Sequence, residues 1–520
     1  MTNYGVMVPT GLETASTRSE RISVLKVACF GFDHQVKVVH DLEIQVGTAE
    51  RLSAHLKRAL NDQDKSQEAE RICKLLAMVY QCTDEVAAAS FCSVAQDLVP
   101  CIFKLVSKHA STGKDASYAE RLILRFSSVN ISLRSVKNKE ELLAFLLRQV
   151  QSADEGIDHV MKYALTLLAG LASHQDSKGL IMKFPGLFDA VVDIAKSSQS
   201  VETRYDSARL LSKLAWDINN RAKMGQAEKC VEALVLLSDS SHQNVRVEAY
   251  TALQHLSTEA NNKARLVSTA DGKLVMSLMD ALRTDVDDQV RVQALEILLN
   301  LISRGTFTRI SSQPGLIDRL AALSSSKKQS DQIAALAAQS IKRFATYVQV
   351  KQNCHVDLLR AMVQMARCNC RVILQWTAKA FLDQSALSSG NFYIARDPEA
   401  LDALAQLTTC CYSDVKASAL ETVVNLADDA LNAKKLAMST ILLEALVSCM
   451  ENHTDNDDAI VRRHAVRAIL SLASHRSSTR RMAKQFGLVS SLSRYGISQD
   501  NDVELKRAAL HGVLLLAPLL

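Results

Sequence analysis

The stretch VRVQALEILLNLI at residues 290–302, together with the related stretch VRVEAYTALQHLS at 245–257, decides the fold. Small and apolar residues recur in both at i, i+3, i+4 and i+7, which is the spacing of one face of an α-helix. Related stretches begin at Val415, Val461 and Leu505, and weaker ones near Met161, Arg204, Ala334 and Leu374. Successive copies lie about 43 residues apart, so the sequence predicts a repeated helical unit with loops of varying length.

A second helix is predicted between successive copies, because a turn signal lies about 18–20 residues before each next copy. The signals are Pro185-Gly186-Leu187, Asp271-Gly272-Lys273, Pro314-Gly315-Leu316, Asp397-Pro398-Glu399 and Gly487-Leu488. Pro or Gly at such positions ends one helix and begins another. Each unit is therefore predicted to contain a short helix, a turn, a middle helix such as LIDRLAALS at 316–324, a polar loop and a long helix.

This unit resembles the armadillo repeat, whose consensus has the same turn before its second helix and the same R-x-x-A-x-x-A-L-x-N-L-[A/S] third helix. The resemblance covers roughly residues 110–520, begins more weakly at residue 48 and is degenerate before residue 150. HEAT repeats have a similar period, but the three-helix spacing favours armadillo. The resemblance implies an all-α fold, a right-handed superhelical armadillo-type solenoid of about nine to ten three-helix repeats.

The composition agrees with an all-α chain. Pro and Gly together number 23 of 520 residues, about 4% against about 12% in average proteins. Aromatic residues make up only 5%, and these values argue against β-sandwiches, barrels and disordered chains. The net charge of +5 is spread over the whole length, so nucleic-acid binding, which needs a concentrated basic face, is not expected.

Targeting and membrane segments are not expected. The first twenty residues have no apolar run and contain Glu13 and Glu20, which argues against a signal or transit peptide. The sequence has no run of 18 apolar residues that could span a bilayer. Its twelve cysteines are scattered through apolar helical patterns, as free thiols in a reducing compartment would be. We expect a cytoplasmic protein, with the nucleus as the alternative.

Catalytic and cofactor motifs are absent from the sequence: there is no phosphate-binding loop, zinc-protease motif, nucleophile elbow or calcium loop. Cys368 and Cys370 lie one period before Cys410 and Cys411, and four thiolates can hold zinc or form a redox pair. Neighbouring units lie about 10 Å apart, too far for one ion, so ordinary buried thiols are favoured. We expect no metal, no cofactor and no enzymatic activity.

The two tryptophans do not continue a known pattern. Trp216 precedes Asn220 by the spacing of the Trp-Asn ladder in the importin-α family, but this pair falls at a helix end and out of register. Asn300 and Asn425 occupy the Asn position without a Trp before them. The cargo-carrying function of that family is therefore not expected here.

The resemblance also implies a binding site. In armadillo proteins the third helices line a concave groove, where the consensus Asn and the residue four before it face an extended peptide. The equivalent candidates here are Arg121, Arg125, Arg209, Lys213, His255, Asn300, Arg343, Lys379, Asn425 and Arg467. The first five make the N-terminal half basic, so we expect it to bind an acidic or phosphorylated segment through bidentate Arg pairs. The alternative is a merely solvated charged face, in which each exposed ion pair contributes only about 0–1 kcal/mol.

The two ends depart from the repeat. Residues 1–20 are expected to form a disordered tail, and residues 21–47 a non-repeat cap, either a β-hairpin suggested by the alternation in LEIQV at 42–46 or an irregular helical cap. Residues 48–520 form the predicted repeat solenoid. The C-terminal phrase ends HGVLLLAPLL and is apolar nearly all round. It packs back onto the last groove, pairs with a second copy of the chain, or belongs to a truncated chain.

The function predicted from these features is a non-catalytic protein–protein interaction scaffold or adaptor that binds a partner segment in the concave groove. One alternative is a structural self-associating protein that forms a homodimer through the C-terminal helix. Another is a chaperone cofactor, by analogy with armadillo proteins that clasp chaperone domains. The expected partner is a protein, with no nucleic acid and no membrane span.

Overall fold

A computed structural model describes residues 42–60, 72–73, 76, 84–110, 118–129, 131–151, 158–283, 287–326, 329–348, 355–451, 458–485, 487–497 and 503–517. Every regular element within these ranges is a helix, and none of them contains a strand. The all-α prediction is therefore confirmed for the part of the chain that the structure describes.

The chain divides into two units, Met1–Asn262 and Lys263–Leu520. The helices of the first unit are α1 (Leu42–Leu60), α2 (Asp84–Ala110), α3 (Tyr118–Ser128), α4 (Lys139–Gln151), α5 (Asp158–Leu171), α6 (Gln175–Lys183), α7 (Leu187–Ser197), α8 (Val201–Trp216), α9 (Ile218–Gln226), α10 (Glu228–Ser238) and α11 (Gln243–Ser257). The boundary between the units falls within α12 (Ala260–Ser268).

The second unit continues the same order of helices. Its helices are α13 (Lys273–Ala281), α14 (Asp288–Leu301), α15 (Phe307–Ser311), α16 (Leu316–Ser325), α17 (Asp331–Tyr347), α18 (His355–Ala366), α19 (Arg371–Ser385), α20 (Ser388–Arg396), α21 (Pro398–Thr409), α22 (Ser413–Ala427), α23 (Ala430–Leu436), α24 (Thr440–Glu451), α25 (Asp458–Ala473), α26 (Arg476–Ala483), α27 (Leu488–Ile497) and α28 (Val503–Leu516). Short, middle and long helices alternate from α5 onward. By their place in the repeat, the helices called long below are α3, α5, α8, α11, α14, α17, α19, α22, α25 and α28, although α3 has only 11 residues.

Within each unit, helices pack on their counterparts in the neighbouring repeats. In the first unit α8 packs against α5 and α11, and α7 packs against α4 and α10. In the second unit α19 packs against α17 and α22, and α21 packs against α18 and α24. Like helices therefore stack on like helices within each unit.

Helix α11 shows why this stacking forms. Its residues Val245, Ala249, Leu253 and Leu256 are completely buried, at the spacing that the repeated phrase predicts. Each large apolar side chain that is fully buried stabilises the fold by about 1.5–3 kcal/mol. A single repeat cannot enclose such a stripe, so its neighbours must cover it.

The predicted turns before the middle helices are present. Gly186, Gly272 and Gly315 are the N-cap residues of α7, α13 and α16, with φ of 74°, 83° and 74°. Only glycine adopts this left-handed conformation without steric cost. At the start of α21, Pro398 occupies the first turn, and the Asp397 carboxylate accepts hydrogen bonds from the backbone of Glu399 and Ala400.

Buried asparagines on the short helices connect adjacent repeats of the first unit. The Asn262 Nδ2 donates to the carbonyl of Leu256 at 3.2 Å and to the carbonyl of Arg221 at 2.9 Å. The Asn220 Nδ2 makes equivalent bonds to the carbonyls of Leu214 and of Lys178, at 3.1 and 3.5 Å. Each amide therefore satisfies the end of one long helix and a carbonyl of the preceding short helix. These bonds fix the register between repeats.

The cap predicted for residues 21–47 is corrected at its C-terminal end. Residues 42–46 begin helix α1, so the hairpin alternative is wrong there, and the proposed boundary at residue 47 falls inside a helix. Alternation over so few residues does not distinguish a strand from the start of a helix when the helical pattern continues afterwards, here to Leu60. The rest of the cap and the tail at 1–20 lie outside the described residues.

The C-terminal helix α28 packs against α25 and α27. It buries Ala509 and Leu516, whereas Leu510 and Leu514 are 43% and 72% exposed. One face thus packs back onto the last repeat, as one of the three alternatives expects, and pairing of the other face with a second copy stays a prediction. No described helix combines the length and the apolar character that crossing a bilayer requires.

Candidate functional site

All ten predicted binding residues lie on long helices, and each keeps part of its side chain in solvent. Arg121 and Arg467 are exposed and the other eight are half-buried. We define the first long-helix face, in the first unit, as Arg121, Arg125, Arg209, Lys213, Trp216 and His255. We define the second long-helix face, in the second unit, as Asn300, Arg343, Lys379, Asn425 and Arg467.

Carboxylates beside the first long-helix face are held by hydroxyl groups. The Thr166 Oγ1 donates to Asp206 Oδ2 at 2.6 Å, and the Ser212 Oγ donates to Glu248 Oε2 at 2.5 Å. Burial raises the pKa of Asp206, while the hydrogen bond from Thr166 and the charge of Arg209 oppose this shift. The nearest oxygen of Asp206 lies 4.0 Å from the Arg209 guanidinium, a long contact. Asp206 is therefore held mainly by Thr166, and Arg209 is only weakly paired with it.

Lys213 carries the clearest unpaired charge of the first long-helix face. It is half-buried on α8, and within the described part of the chain no carboxylate lies within ion-pair distance of its ammonium group. Its charge contributes to lowering the pKa of Lys178. An external anion would therefore meet a cation whose hydrogen bonds are otherwise made to water.

Trp216 ends α8 with its indole 60% exposed. The His255 ring packs edge-on against the indole, with centroids 5.0 Å apart at 70°, and the Lys178 ammonium lies 5.9 Å from the indole centroid. Arg221 donates from Nη2 to the Trp216 carbonyl and from Nε to the Ala215 carbonyl, at 3.0 and 3.1 Å. A cation at these carbonyls also complements the negative end of the helix dipole. Side chains from α6, α9 and α11 thus meet at the end of α8.

The protonation states in this cluster differ from those of free side chains. Burial, with the charges of Arg221 and Lys178, lowers the pKa of His255 to about 4, so its imidazole is neutral at pH 7. Its Nε2 is buried without a hydrogen-bond partner among the described residues. Burial also lowers the pKa of Lys178, opposed by Asp217. Lys178 is only 5% exposed, and its ammonium donates to the Gln175 side chain at 2.9 Å.

Charges beside the second long-helix face are paired with one another. The Lys342 ammonium lies 2.9 Å from Asp383 Oδ2, and the Thr346 hydroxyl donates to the same oxygen at 2.7 Å. The Asn425 Nδ2 donates to the Ser385 hydroxyl at 2.9 Å. These side chains satisfy each other across adjacent long helices, which leaves fewer donors for a partner.

The remaining groups on the second long-helix face have mixed charge. The Lys379 ammonium lies 5.1 Å from the centroid of the half-buried Trp376 ring. Burial lowers the pKa of His464, and the charge of Glu421 opposes this shift while Arg467 adds to it. The second long-helix face therefore presents cations and an acid side by side.

The cysteine cluster of the sequence analysis is divided among separate backbone contacts. The Cys368 Sγ lies 4.0 Å from the Ser324 carbonyl, and the Cys410 Sγ lies 3.7 Å from the Tyr412 carbonyl. Burial raises the pKa of both thiols. Across the described ranges, no three His, Cys, Asp or Glu side chains come together in a way that could hold a metal ion.

Lys178 and Arg221 are not among the binding residues predicted from repeat position. Both lie on short helices, α6 and α9, whereas the ladder positions lie only on long helices. Trp216 is also outside the predicted set, because it falls out of register at the end of α8. The sequence does contain a signal for Arg221, since it follows the end of α8 closely and a cation there can bind the last carbonyls of the helix.

Comparison with known proteins gives no family. No protein-family model and no curated protein matches this chain. An engineered protein of known crystal structure is 20% identical, covers 89% of this chain and 99% of its own, and has a TM-score of 0.48. A chain from the structure described as "A conserved phosphorylation switch controls the interaction between cadherin and beta-catenin in vitro and in vivo" is 14% identical, covers 88% of this chain and 100% of its own, and has a TM-score of 0.49. At these values neither similarity carries an argument about function.

Proposed function

We propose that this chain is a non-catalytic protein-interaction scaffold or adaptor, and that its first long-helix face binds an acidic or phosphorylated extended segment of a partner protein. The proposal rests on how the charged groups beside this face are paired. Hydroxyl groups of Thr166 and Ser212 satisfy the carboxylates, while the ammonium of Lys213 has no carboxylate partner among the described residues. Such cations pair favourably with carboxylate or phosphate oxygens.

The proposal includes the armadillo type of the repeat, a right-handed superhelix of about nine to ten three-helix repeats. The left-handed glycines Gly186 and Gly315 before middle helices support it. So do hydrogen bonds between side chains one repeat apart, such as Asn425 to Ser385. Stacked repeats of this kind offer a long row of equivalent positions for a partner.

An extended partner segment suits the spacing of the donors. Its backbone carbonyls and carboxylates leave water on binding and need hydrogen bonds in return. Arg209, Lys213 and His255 lie on two successive long helices, α8 and α11, which pack directly against each other. A segment crossing these helices would meet donors at each repeat.

The test is affinity capture from native lysate with the wild-type chain and with the double variant Arg209→Glu/Lys213→Glu. The matched control is Arg148→Glu/Lys183→Glu, which makes the same two substitutions at exposed positions on α4 and α6 of the same unit that have no ion pair among the described residues. We expect partners to be captured by the wild type and the control and lost from the first variant, with unchanged melting curves. Equal capture by all three folded chains would contradict the proposal.

Self-association through α28 is the second candidate function, favoured by one observation. Val503, Leu510 and Leu514 of this helix are 58%, 43% and 72% exposed. Exposed apolar side chains on one helix face favour pairing with a complementary surface. Light scattering of the full chain beside Leu514→Glu tests it: a dimer that the variant converts to a monomer would support self-association, and a monomeric wild type would contradict it.

A further inference from the structure

The exposed indole of Trp216 is not explained by the fold. A tryptophan at the end of a core-forming helix would stabilise the protein more if it were buried, yet 60% of this residue is in solvent. It is also the one large aromatic residue that is strongly exposed among the described residues of the first unit. Aromatic side chains in such positions supply contact area to partners.

The indole is held in place before any partner binds. Arg221 bonds the backbone carbonyl of Trp216, and its Nη1 also donates to the Thr258 hydroxyl at 3.0 Å. The His255 ring supports one edge of the indole. Asp217, the next residue, caps α9 by accepting from the Asn219 amide at 2.9 Å. A preorganised aromatic surface loses little conformational entropy on binding, which favours affinity.

The surroundings of the indole carry a net positive charge. Lys178, Lys213 and Arg221 contribute three cations, and His255 is neutral at pH 7. Asp217 is the one carboxylate that influences Lys178, and its oxygen is engaged by Asn219 at the start of α9. The charge of buried Lys178 is screened less by salt than a charge in open solvent.

We propose that the Trp216 site, defined as Lys178, Lys213, Trp216, Arg221 and His255, is the anchoring subsite of the first long-helix face and takes an aromatic side chain flanked by a carboxylate. This inference rests on the proposed function and specifies the chemistry of the partner segment. The partner's ring packs on the indole, and the neighbouring carboxylate pairs with Lys213, which lies three residues before Trp216 and hence on the same side of α8.

An acidic peptide fits this site better than a single-stranded nucleic acid. Proteins that bind single strands without sequence preference stack successive bases on several aromatic side chains. The described part of the first unit offers one strongly exposed aromatic residue, and the net charge of the chain is only +5. A single aromatic platform with nearby cations matches one aromatic residue with an adjacent acid.

The probes are two synthetic peptides: an acidic peptide with one central Phe, and the same peptide with Ser in place of that Phe. Fluorescein anisotropy of the labelled peptides gives their affinities. The emission of Trp216 is followed with the unlabelled peptides in the full-length Trp376→Phe background, where Trp216 is the sole tryptophan. We expect the Phe peptide to bind about tenfold more tightly than the Ser peptide and to change the emission of Trp216.

The variants separate this inference from the proposed function. In chains that retain Trp376, Trp216→Ala should abolish the preference for the Phe peptide and Trp216→Phe should restore it. The control Leu236→Ala, at a 52% exposed site on the middle helix α10, should leave the preference intact. Melting curves identify any variant that fails to fold, and if Trp216→Ala is one of them, the emission of Trp216 on addition of the Phe peptide decides the inference.

Three outcomes would overturn the inference. The first is a preference for Phe that survives in folded Trp216→Ala, and the second is binding that leaves the emission of Trp216 unchanged. If Arg209→Glu/Lys213→Glu still abolishes peptide binding in either case, the proposed function stands without this subsite. The third is tighter binding of a single-stranded oligonucleotide than of either peptide, with quenching of Trp216. If Arg209→Glu/Lys213→Glu binds the peptides as tightly as the wild type does, the proposed function itself is contradicted.

Discussion

In the first unit the carboxylates of Asp206 and Glu248 accept hydrogen bonds from hydroxyl groups, whereas in the second unit Asp383 is held by the ammonium of Lys342 as well as by the hydroxyl of Thr346. Both arrangements satisfy a carboxylate on a long helix. When a hydroxyl group donates to the carboxylate, nearby cations remain available to bind a partner. When a lysine donates to it, that lysine is already paired. The comparison shows that equivalent rows of polar residues differ in binding capacity according to which donors they use internally.

The largest expected effect comes from reversing charges on each face in turn. We expect Arg209→Glu/Lys213→Glu to weaken binding of the acidic Phe peptide by about a hundredfold or more, because two charge-assisted hydrogen bonds worth about 1.5–3 kcal/mol each become repulsions. The equivalent change on the second face, Arg343→Glu/Lys379→Glu, should weaken it less than about threefold. Anisotropy titrations of both full-length variants measure this. Equal losses would remove the distinction between the faces.

A loss of stability of about 1–3 kcal/mol is expected for Asn262→Ala, because the carbonyls of Leu256 and Arg221 lose their buried donor. Asn432 occupies the same position in α23 of the second unit and is buried, but its side-chain amide makes no hydrogen bond to another described residue. Asn432→Ala should therefore lower the free energy of unfolding by less than Asn262→Ala does. Urea unfolding followed by circular dichroism compares the two.

The matched control for Asn262→Ala is Asn261→Ala, at the exposed neighbouring position on α12. It has the same change in composition and helix propensity, so its unfolding midpoint should stay close to that of the wild type. A midpoint shift as large as that of Asn262→Ala would mean that the bonds between repeats do not carry the effect.

Removing an ion pair beside the second long-helix face should modestly increase the affinity of the chain for the acidic peptide. Asp383→Asn releases the ammonium of Lys342 from its ion pair, and we expect about twofold to threefold tighter binding of the acidic peptide, as a part-exposed charge contributes about 0.2–1 kcal/mol. Asp402→Asn, an exposed position on the middle helix α21, removes the same charge as a control. The same gain in both variants would show a general effect of net charge rather than release of Lys342.

The smallest expected effect concerns two histidines on the long helices. The pKa of His255 is lowered to about 4 by burial and by Arg221 and Lys178, whereas Glu421 opposes the lowering for His464. In an NMR titration, we expect the chemical shifts of the His255 ring protons to change at a lower pH than those of His464. A His255 that titrates near 6.5 would contradict the basic environment assigned to the Trp216 site.

The sign of the accompanying stability change follows from proton linkage. A histidine whose pKa is lower in the folded chain than in the unfolded chain binds fewer protons when folded. The contribution of His255 to stability is therefore complete above pH 6.5 and is lost as the pH falls toward 4. Replacing it in His255→Gln should make the decline in stability over this range shallower, as measured by urea unfolding at each pH.

The long helices and the turns before the middle helices could be predicted because their signals are local. The phrase at 290–302 has helical periodicity, and Gly186 and Gly315 occupy backbone positions that only glycine adopts readily. Residues 42–46 could not be assigned, because their alternation is too short to separate a strand from a helix start.

The candidate site was only partly predictable. The repeat phase indicates which residues of the long helices keep contact with solvent, and Lys213 and Arg467 are among the residues that do. It gives no information on pairing between repeats, which depends on the side chains of adjacent helices. The approach of Lys178 to Trp216 joins residues far apart in sequence through packing of a short helix beside a long one, and no local pattern records it.

Site-specific photocrosslinking tests the central claim most directly. The full-length chain would carry p-benzoylphenylalanine in place of Ile218, 66% exposed just beyond Trp216, or in place of Leu236, 52% exposed on a middle helix of the same unit. After irradiation in native lysate, we expect a partner protein to be crosslinked at residue 218 and not at residue 236. The crosslinked peptide of the partner should be rich in Asp and Glu. A partner joined only at residue 236, or equally at both, would contradict the account.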